Sequence, residues 1–454
     1  MKIGDTISLT TEKLVQGGTA IAHSESNTIF IHGALPDEEI IAEITSRRKG
    51  IWNGDAIEIV KPSPLRVSPK CPHFGICGGC TWQHIGYDAQ LQFKQDIFEE
   101  TLIRLGNFQN IEIQKIVPSP LEWEYRNKME FAFIFDDGQI LLGLHHRGHY
   151  DKLISVAKDC VLINRDIRAM CAQLEKILQN DSILNFETKS GLLCFLTIRR
   201  SFADDRILVG ITATRTDFNE AILSWLNELS ESFPNKIAGA YLTINPVGSA
   251  SSGELFPLFG SNEIEEKIGE KVFSISATSF FQTNPLGAEK LYNSAKEFAE
   301  LSGGEHIWDL YCGTGTIGIY LSDGAEKIVG IDENPDAINN AKINAEKNSV
   351  RNAVFYEGDV RKVLYKFQNE NEITRPDVIV IDPPRAGLAK KVVERIAAFA
   401  PKRIVYISCN PATLARDGAL FAEQKYSLVR AKPVDMFPQT YHIEGVALFK
   451  YDAN

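Results

Sequence analysis

The sequence predicts a multidomain α/β chain in three parts, and three observations predict it. Residues 1–65 alternate apolar and polar side chains between Gly and Asn-Gly turns, the pattern of short strands in a small β-barrel. A cysteine- and glycine-rich stretch, 71–84, then opens a region over 66–270 where strand-like runs mix with a helix or two, the pattern of a separate α+β domain. Over 271–454 strand-like and helical segments alternate regularly, which implies a doubly wound, mostly parallel sheet.

The 454 residues are enough for two or three domains with full cores. With 44% apolar and 24% charged residues, the composition is that of a soluble globular protein. No apolar run nears the roughly 18 residues that span a bilayer, and "MKIGDTISLTTEK" lacks the apolar core of a signal peptide. The expected location is cytoplasmic, with no membrane partner and a monomer as the default. The net charge of −11 excludes a polycation that coats nucleic acid. Any nucleic-acid contact must come from a local patch such as Arg47, Arg48 and Lys49.

In the first part, "DTISLTTEKLV", "GGTAIAH" and the alternating stretch from Asn27 to Val60 read as the barrel strands. Proline-rich "KPSPLRVSPK" lacks helical periodicity and marks a boundary. "YDAQLQFKQDIFEETLIRLG" (87–106) has helical spacing and a glycine stop. "KMEFAFIF", "GLLCFLTIRR", "RILVGITATR" and "GAYLTINPV" read as strands of the central domain.

"CPHFGICGGCTWQH" places Cys71, Cys77 and Cys80 at C-x5-C-x2-C, a spacing that points to a metal. A fourth ligand must come from elsewhere, and Cys160 in "KDCVLIN" offers one, whereas Cys171 and Cys194 sit in apolar contexts that suit core packing. Tetrathiolate ligation fits zinc or an iron–sulfur cluster equally.

In the third part each strand-like run closes on a polar residue: Asp309, Asp332, Asp359, Asp382 and Cys409. Parallel sheets bind ligands at these ends, so a line of acids and one thiol would edge a single cleft. Gly313, Gly315 and Gly318 fit G-x-G-x-x-G, and Asp332 suits a pair of ribose hydroxyls. NAD and S-adenosylmethionine sites share that device. "DPPRAGL" after the fourth strand is a stiff turn of the kind found in base-modifying methyltransferases.

Cys409, between Ser408 and Asn410 at a strand mouth, reads as a nucleophile. Carbon 5 of uracil is too weak a nucleophile to take a methyl group unaided. A thiolate added to carbon 6 turns carbon 5 into an enolate-like centre, and a base must then remove the carbon 5 proton. Glu444 opens the strand "GVALFKY" and is the first candidate, with His442 and Asp435 as alternatives. Phe281 and Phe437 are candidate rings to stack on an extruded base.

Together, "FFQTNP", "DLYCGTGTIG", "IDPPRAGL", "ISCNPATLARD" and "MFPQTYHIE" resemble the motifs of the RNA uracil-5-methyltransferase family, over essentially the whole chain. The resemblance implies a Rossmann-like class I methyltransferase domain. In it Gln282, Tyr311, Thr316, Asp332, Asp359 and Asp382 would line the S-adenosylmethionine site. Cys409 would be the nucleophile, Glu444 the base, and Asp382 would lie near both donor and uracil. The family often has Asn at the position of Thr316 and Glu at that of Asp332. The first 60 or so residues resemble a TRAM domain, an OB-like barrel that contacts RNA. The resemblance also favours a closed [4Fe-4S] cluster on Cys71, Cys77, Cys80 and Cys160. A radical S-adenosylmethionine enzyme is disfavoured, since that chemistry uses C-x3-C-x2-C. The implied partner is a structured RNA, with a bacterial 23S ribosomal RNA uridine favoured and a transfer RNA T-loop uridine as the alternative. An RNA cytosine-5 methyltransferase is a further reading, disfavoured by Pro383-Pro384 where such enzymes carry a cysteine. A non-catalytic RNA-binding assembly factor is another, disfavoured by intact Cys409, Asp382 and Glu444.

Overall fold

The structure is a computed structural model that describes all residues except 26, 110, 182–188, 249–251, 370–373 and 453–454. The first five strands, β1 (Thr6–Leu14), β2 (Ala20–Ser24), β3 (Asn27–His32), β4 (Glu39–Arg48) and β5 (Ile51–Lys61), close into a barrel of order β1-β2-β3-β5-β4. Strict alternation builds it: Ile29, Ile31, Ile40, Ala42 and Ile44 point inward and are fully buried. The proline-rich segment after β5 folds back on the barrel rather than hanging free. Arg66 donates from Nε and Nη2 to the buried Glu38 carboxylate, each at 2.6 Å.

Helix α1 (Tyr87–Gly106) ends in Asn107, whose φ of 53° is the left-handed conformation that stops a helix. The two-residue strand β6 (Glu112–Ile113) follows. The central sheet uses β7 (Lys128–Asp136), β8 (Gln139–His146), β9 (His149–Ser155), β10 (Leu193–Arg200), β11 (Ile207–Ala213), β12 (Ile237–Ile244) and β13 (Glu254–Gly260). Their order is β13-β12-β11-β10-β7-β8-β9. It is covered by α2 (Arg165–Asn180), capped by Asn164, and α3 (Asn219–Ser232). Cys171 is fully buried in that core, as its apolar context suggests. The hairpin of β14 (Glu263–Ile268) and β15 (Lys271–Ser276) leads on.

The last part contains α4 (Pro285–Ala299), β16 (His306–Leu310), α5 (Thr316–Leu321), β17 (Lys327–Asp332), α6 (Pro335–Lys347), β18 (Ala353–Glu357) and α7 (Val360–Asn369). It continues through β19 (Val378–Ile381), α8 (Lys390–Ala398), β20 (Arg403–Ser408), α9 (Pro411–Glu423), β21 (Tyr426–Val434) and β22 (Glu444–Tyr451). The sheet order is β18-β17-β16-β19-β20-β22-β21-β6. The first five of these strands are parallel, as the β-α alternation predicts. β22 then enters antiparallel to both neighbours, and β6 joins the far edge from early in the chain. Successive residues go to opposite cores. Trp308, Ile379 and Ile404 pack with α7, α8 and α9, while Ile307, Val378 and Val405 pack with α4, α5 and α6. Burial on both faces explains why these strands read as continuous apolar runs. Chain order reverses between β16 and β19, and their C-terminal ends open the crevice where such sheets bind ligands.

The outer core of this sheet is continuous with the barrel core through Trp82, Ile85, Phe98 and Leu102. Among the described residues no helix is long and apolar enough to cross a membrane.

Candidate active site

After β16 the chain turns through Tyr311, Gly313 and Gly315, all left-handed at φ 63°, 52° and 76°. Tyr311 holds that conformation without being glycine, a local cost that tends to mark functional turns. A Cβ at Gly313 would meet nothing within 4 Å, so the backbone there faces open space. At Gly315 it would meet Ala341 and Phe355 at 3.0 Å, and at Gly318 it would meet Asp309 and Ile328 at 3.1 Å. Gly313 therefore leaves room beside the chain, Gly315 admits Ala341 of α6 and Phe355 of β18, and Gly318 lets helix α5 lie close on β16 and β17.

Asp332 ends β17, and its two carboxylate oxygens accept from the N–H groups of Gly313 and Asn334, each at 2.9 Å. These bonds tie the second strand end to the glycine turn and leave lone pairs toward the cleft. The Thr316 hydroxyl meets the Tyr292 hydroxyl at 3.1 Å. Asp359 follows β18 and accepts from the Lys362 N–H at 2.9 Å. Gln282 is half-buried, and its carbonyl accepts from Asn127 at 3.2 Å. The turn with open space beside it, the acid on the next strand and half-exposed Tyr311 suit an adenosyl group carrying a ribose.

Asp309 departs from the expected line of acids. It lies within β16, fully buried, with Oδ2 accepting from the Gly318 N–H at 2.8 Å. Burial pushes its pKa up to about 7. It ties the first strand to α5 and does not edge the cleft. A strand-end reading from sequence is one residue short there, because Leu310 still belongs to the ladder.

Three groups meet at the mouths of β19, β20 and β22. Asp382 follows Ile381, which pairs with Tyr406. Cys409 follows Ser408, which pairs with Gly445, so continuing the antiparallel register sets Cys409 opposite Glu444. Cys409 is half-buried, and Asn410 caps α9 by accepting from the Ala412 N–H at 3.1 Å. Burial and Glu444 push the thiol up to about 11, with the Arg385 guanidinium pulling the other way. Burial pushes Asp382 up to about 7. Burial and Asp382 push Glu444 well above the ordinary range.

The alternative bases fare worse. Asp435 is completely buried and pairs with Lys94 at 2.6 Å, so its lone pairs are committed. Burial, with Arg385 next, pushes His442 down to about 4, which leaves the ring neutral but wedged between Phe437 and Tyr441. One of the two stacking candidates needs correction. Phe281 is 5% exposed and packs on Phe273 in the core, whereas its neighbour Phe280 is 73% exposed. Two contributors were not foreseen. Arg385 was signalled only by its place beside Asp382-Pro383-Pro384. Gln16, on the turn between β1 and β2, donates to Asn410 at 2.6 Å, so the barrel reaches the thiol's neighbour with no local sequence signal.

Cys71, Cys77, Cys80 and Cys160 all line one cavity of about 930 Å³ between the barrel, the cysteine loop and the β8–β9 hairpin. Their donor set suits a metal. As placed, however, the side chains do not close on one point, and among the described residues no group of three or more His, Cys, Asp or Glu stands ready to hold an ion.

The profile of the tRNA (uracil-5-)-methyltransferase family matches residues 86–451. The chain belongs to the RNA uracil-5-methyltransferase family. An RNA methyltransferase of Caldanaerobacter subterraneus is 35% identical, covering 99% of this chain and all of that one. One from Porphyromonas gingivalis is 36% identical over 96% of this chain and 98% of its own length. Among solved structures, the Pyrococcus abyssi tRNA (uracil-54, C5)-methyltransferase in complex with S-adenosyl-L-homocysteine is similar with a TM-score of 0.76. It is 29% identical and covers 98% of this chain and 100% of that chain. This RNA uracil-5-methyltransferase is therefore an enzyme that uses S-adenosylmethionine, and the NAD reading of the glycine turn falls away.

Proposed function

We propose that this enzyme methylates carbon 5 of one uridine in a structured RNA through a covalent adduct on Cys409. The observation that carries the reading is Cys409 at the mouth of β20, opposite Glu444 in register and one strand from Asp382. Cys409 gives up its thiol proton to solvent, the thiolate adds to carbon 6, and the electrons of the 5,6 double bond move to carbon 5. S-adenosylmethionine, when bound, supplies an electrophilic methyl group, and Gln282, Tyr311, Thr316, Asp332, Asp359 and Asp382 are the residues that would hold it. Glu444 then accepts the carbon 5 proton, the double bond re-forms, and the bond from Sγ to carbon 6 breaks. Arg385 favours the thiolate by its charge. The target base leaves its stack to reach the thiol, and Phe280 is the exposed ring nearby in sequence to Gln282.

Two RNA classes fit this reading. An iron–sulfur cluster on the four cysteines together with a TRAM-like barrel would favour a bacterial 23S ribosomal RNA uridine. The Pyrococcus abyssi relative is named for a transfer RNA uridine and aligns over 98% of the chain, barrel included, so the barrel alone does not separate them. Cys71, Cys77, Cys80 and Cys160 would hold a [4Fe-4S] cluster, with zinc as the alternative, and iron, sulfide and zinc analysis of anaerobically purified protein separates the two.

The test uses total RNA lacking the modification and carrying 5-fluorouridine, with labelled S-adenosylmethionine. Fluorine at carbon 5 blocks the last proton abstraction, so a denaturant-stable adduct should form with the enzyme and not with Cys409→Ala. Sequencing the trapped RNA names the substrate. Methyl transfer by Cys409→Ala, or without any adduct, would sink the mechanism.

A further inference from the structure

The segment between β21 and β22, residues 435–443, delivers Glu444 to the cleft, and residues 435–439 and Tyr441 are held from elsewhere in the chain. Asp435 and Lys94 are both 0% exposed. Lys94 Nζ donates to Asp435 Oδ1 at 2.6 Å and to the Phe437 carbonyl at 3.1 Å. The Tyr87 hydroxyl donates to Asp435 Oδ2 at 2.9 Å. Gln90 exchanges two bonds with Gln439, Nε2 to Oε1 at 3.0 Å and the Gln439 N–H to Oε1 of Gln90 at 2.9 Å. Lys94 and Gln90 lie four residues apart on α1, so one face of that helix grips the start and the middle of the loop.

Other elements complete the grip. Asn284 donates to the Met436 carbonyl at 2.9 Å, and the Tyr125 hydroxyl donates to the Pro438 carbonyl at 3.1 Å. The N–H groups of Thr81 and Trp82, directly after Cys80, both donate to the Gln439 carbonyl at 3.0 Å. The Tyr441 N–H donates to the Thr81 hydroxyl at 3.1 Å. Gln439 sits at φ 68°, a left-handed conformation that a non-glycine residue holds only when its surroundings enforce it. A loop needs no such cage merely to connect two strands.

We infer that Lys94 and Gln90 of helix α1 are positioning residues that hold Glu444 in place to take the carbon 5 proton. The inference rests on the proposed role of Glu444 and goes beyond it. Both are fully buried, so they act through the loop rather than on substrate. They fix Asp435, Phe437 and Gln439 in the segment that leads toward Glu444, and proton abstraction is the one step that needs Glu444 at a set place.

The step gives the test. When the base is misplaced, Cys409 still adds and the methyl group still transfers, but the C5–H electrons cannot return to the ring and Sγ cannot leave. Ordinary uridine RNA, with no fluorine, should then trap the enzyme. Glu444→Gln is the reference. Lys94→Met and Gln90→Leu are each assayed with unmodified uridine RNA and S-adenosylmethionine on denaturing gels. The expected result is a methylated adduct in both variants that wild type does not accumulate, with turnover down at least about tenfold. RNA affinity and the rate of adduct formation on 5-fluorouridine RNA should stay within about threefold of wild type. A purely structural role would lower binding and adduct formation together and trap nothing. Lys94→Met leaves Asp435 buried without its partner, so it can fail to fold. Gln90→Leu strands no buried charge, only the Trp82 and Ile85 carbonyls and the Gln439 amide, and then decides alone. If Glu444→Gln traps RNA and Gln90→Leu does not, the inference is overturned. If Glu444→Gln itself traps nothing, the role given to Glu444 is wrong and the inference falls with it.

Discussion

The barrel and the cleft each bury an acid, and their surroundings act in opposite directions. Glu38, fully buried under the barrel, accepts from Arg66 Nε and Nη2 at 2.6 Å and from the N–H groups of Leu35 at 2.8 Å and Ser63 at 3.1 Å. Burial alone would raise its pKa, but Arg66 and the two backbone donors together hold it below the ordinary value. Glu444 is also buried, yet burial and the neighbouring Asp382 push it up, against Arg385 alone. A carboxylate held charged by four donors is a strut with no appetite for a proton. One raised by burial is a stronger base and, once ionised, takes a proton readily. Donors are concentrated where the acid joins two segments and withheld where it faces the thiol.

Amide substitutions sharpen that contrast, because Gln keeps the shape and removes the charge. Glu444→Gln should lower turnover by about 10²–10⁴ while the urea midpoint stays or rises. Glu38→Gln should do the reverse. It leaves Arg66 facing a neutral amide, which should cost roughly 2–3 kcal/mol in urea unfolding, with turnover per folded molecule within about twofold of wild type. Arg66 keeps some contact with solvent, which limits the loss. A stability loss at Glu444 equal to that at Glu38 would break the contrast, since both acids would then be struts.

The placement of the proposed cleft residues was legible because they sit at strand ends, where a short motif records the turn. Asp332, Asp382, Cys409 and Glu444 all stand at or just beyond strand termini, as their motifs imply. The barrel and the helix over 87–106 were legible for a similar reason, since alternation and 3.6-residue spacing are local. What was hidden is long-range. Lys94 and Asp435 lie 341 positions apart, and nothing beside either residue announces the other. The same holds for Gln16 and Asn410, and for β6 joining an edge of the C-terminal sheet. Phe280 and Phe281 differ by one position, and only packing against Phe273 decides which ring goes inside.

The smallest effect expected is also the one with a sign that separates the two regions. Asp382 carries a folded value of about 7 against an ordinary 3.8. Between those values the folded protein keeps a proton that the unfolded chain has lost, so stability falls as pH rises from about 4 to 7. Glu38 works the other way. Its stabilisation is complete above its ordinary 4.5 and is lost as pH falls through the lower folded value. Asp309 and Glu266, both also raised to about 7, add slopes of the same sign as Asp382, so Asp382→Asn should remove only one share of the decline. Asp382 is half-buried and partly screened, which keeps that share small. Urea midpoints for wild type and Asp382→Asn at half-unit steps from pH 4 to 8 measure it. A variant curve parallel to wild type throughout would mean that Asp382 is charged in the folded enzyme, and the cleft would then hold its acids as the barrel does.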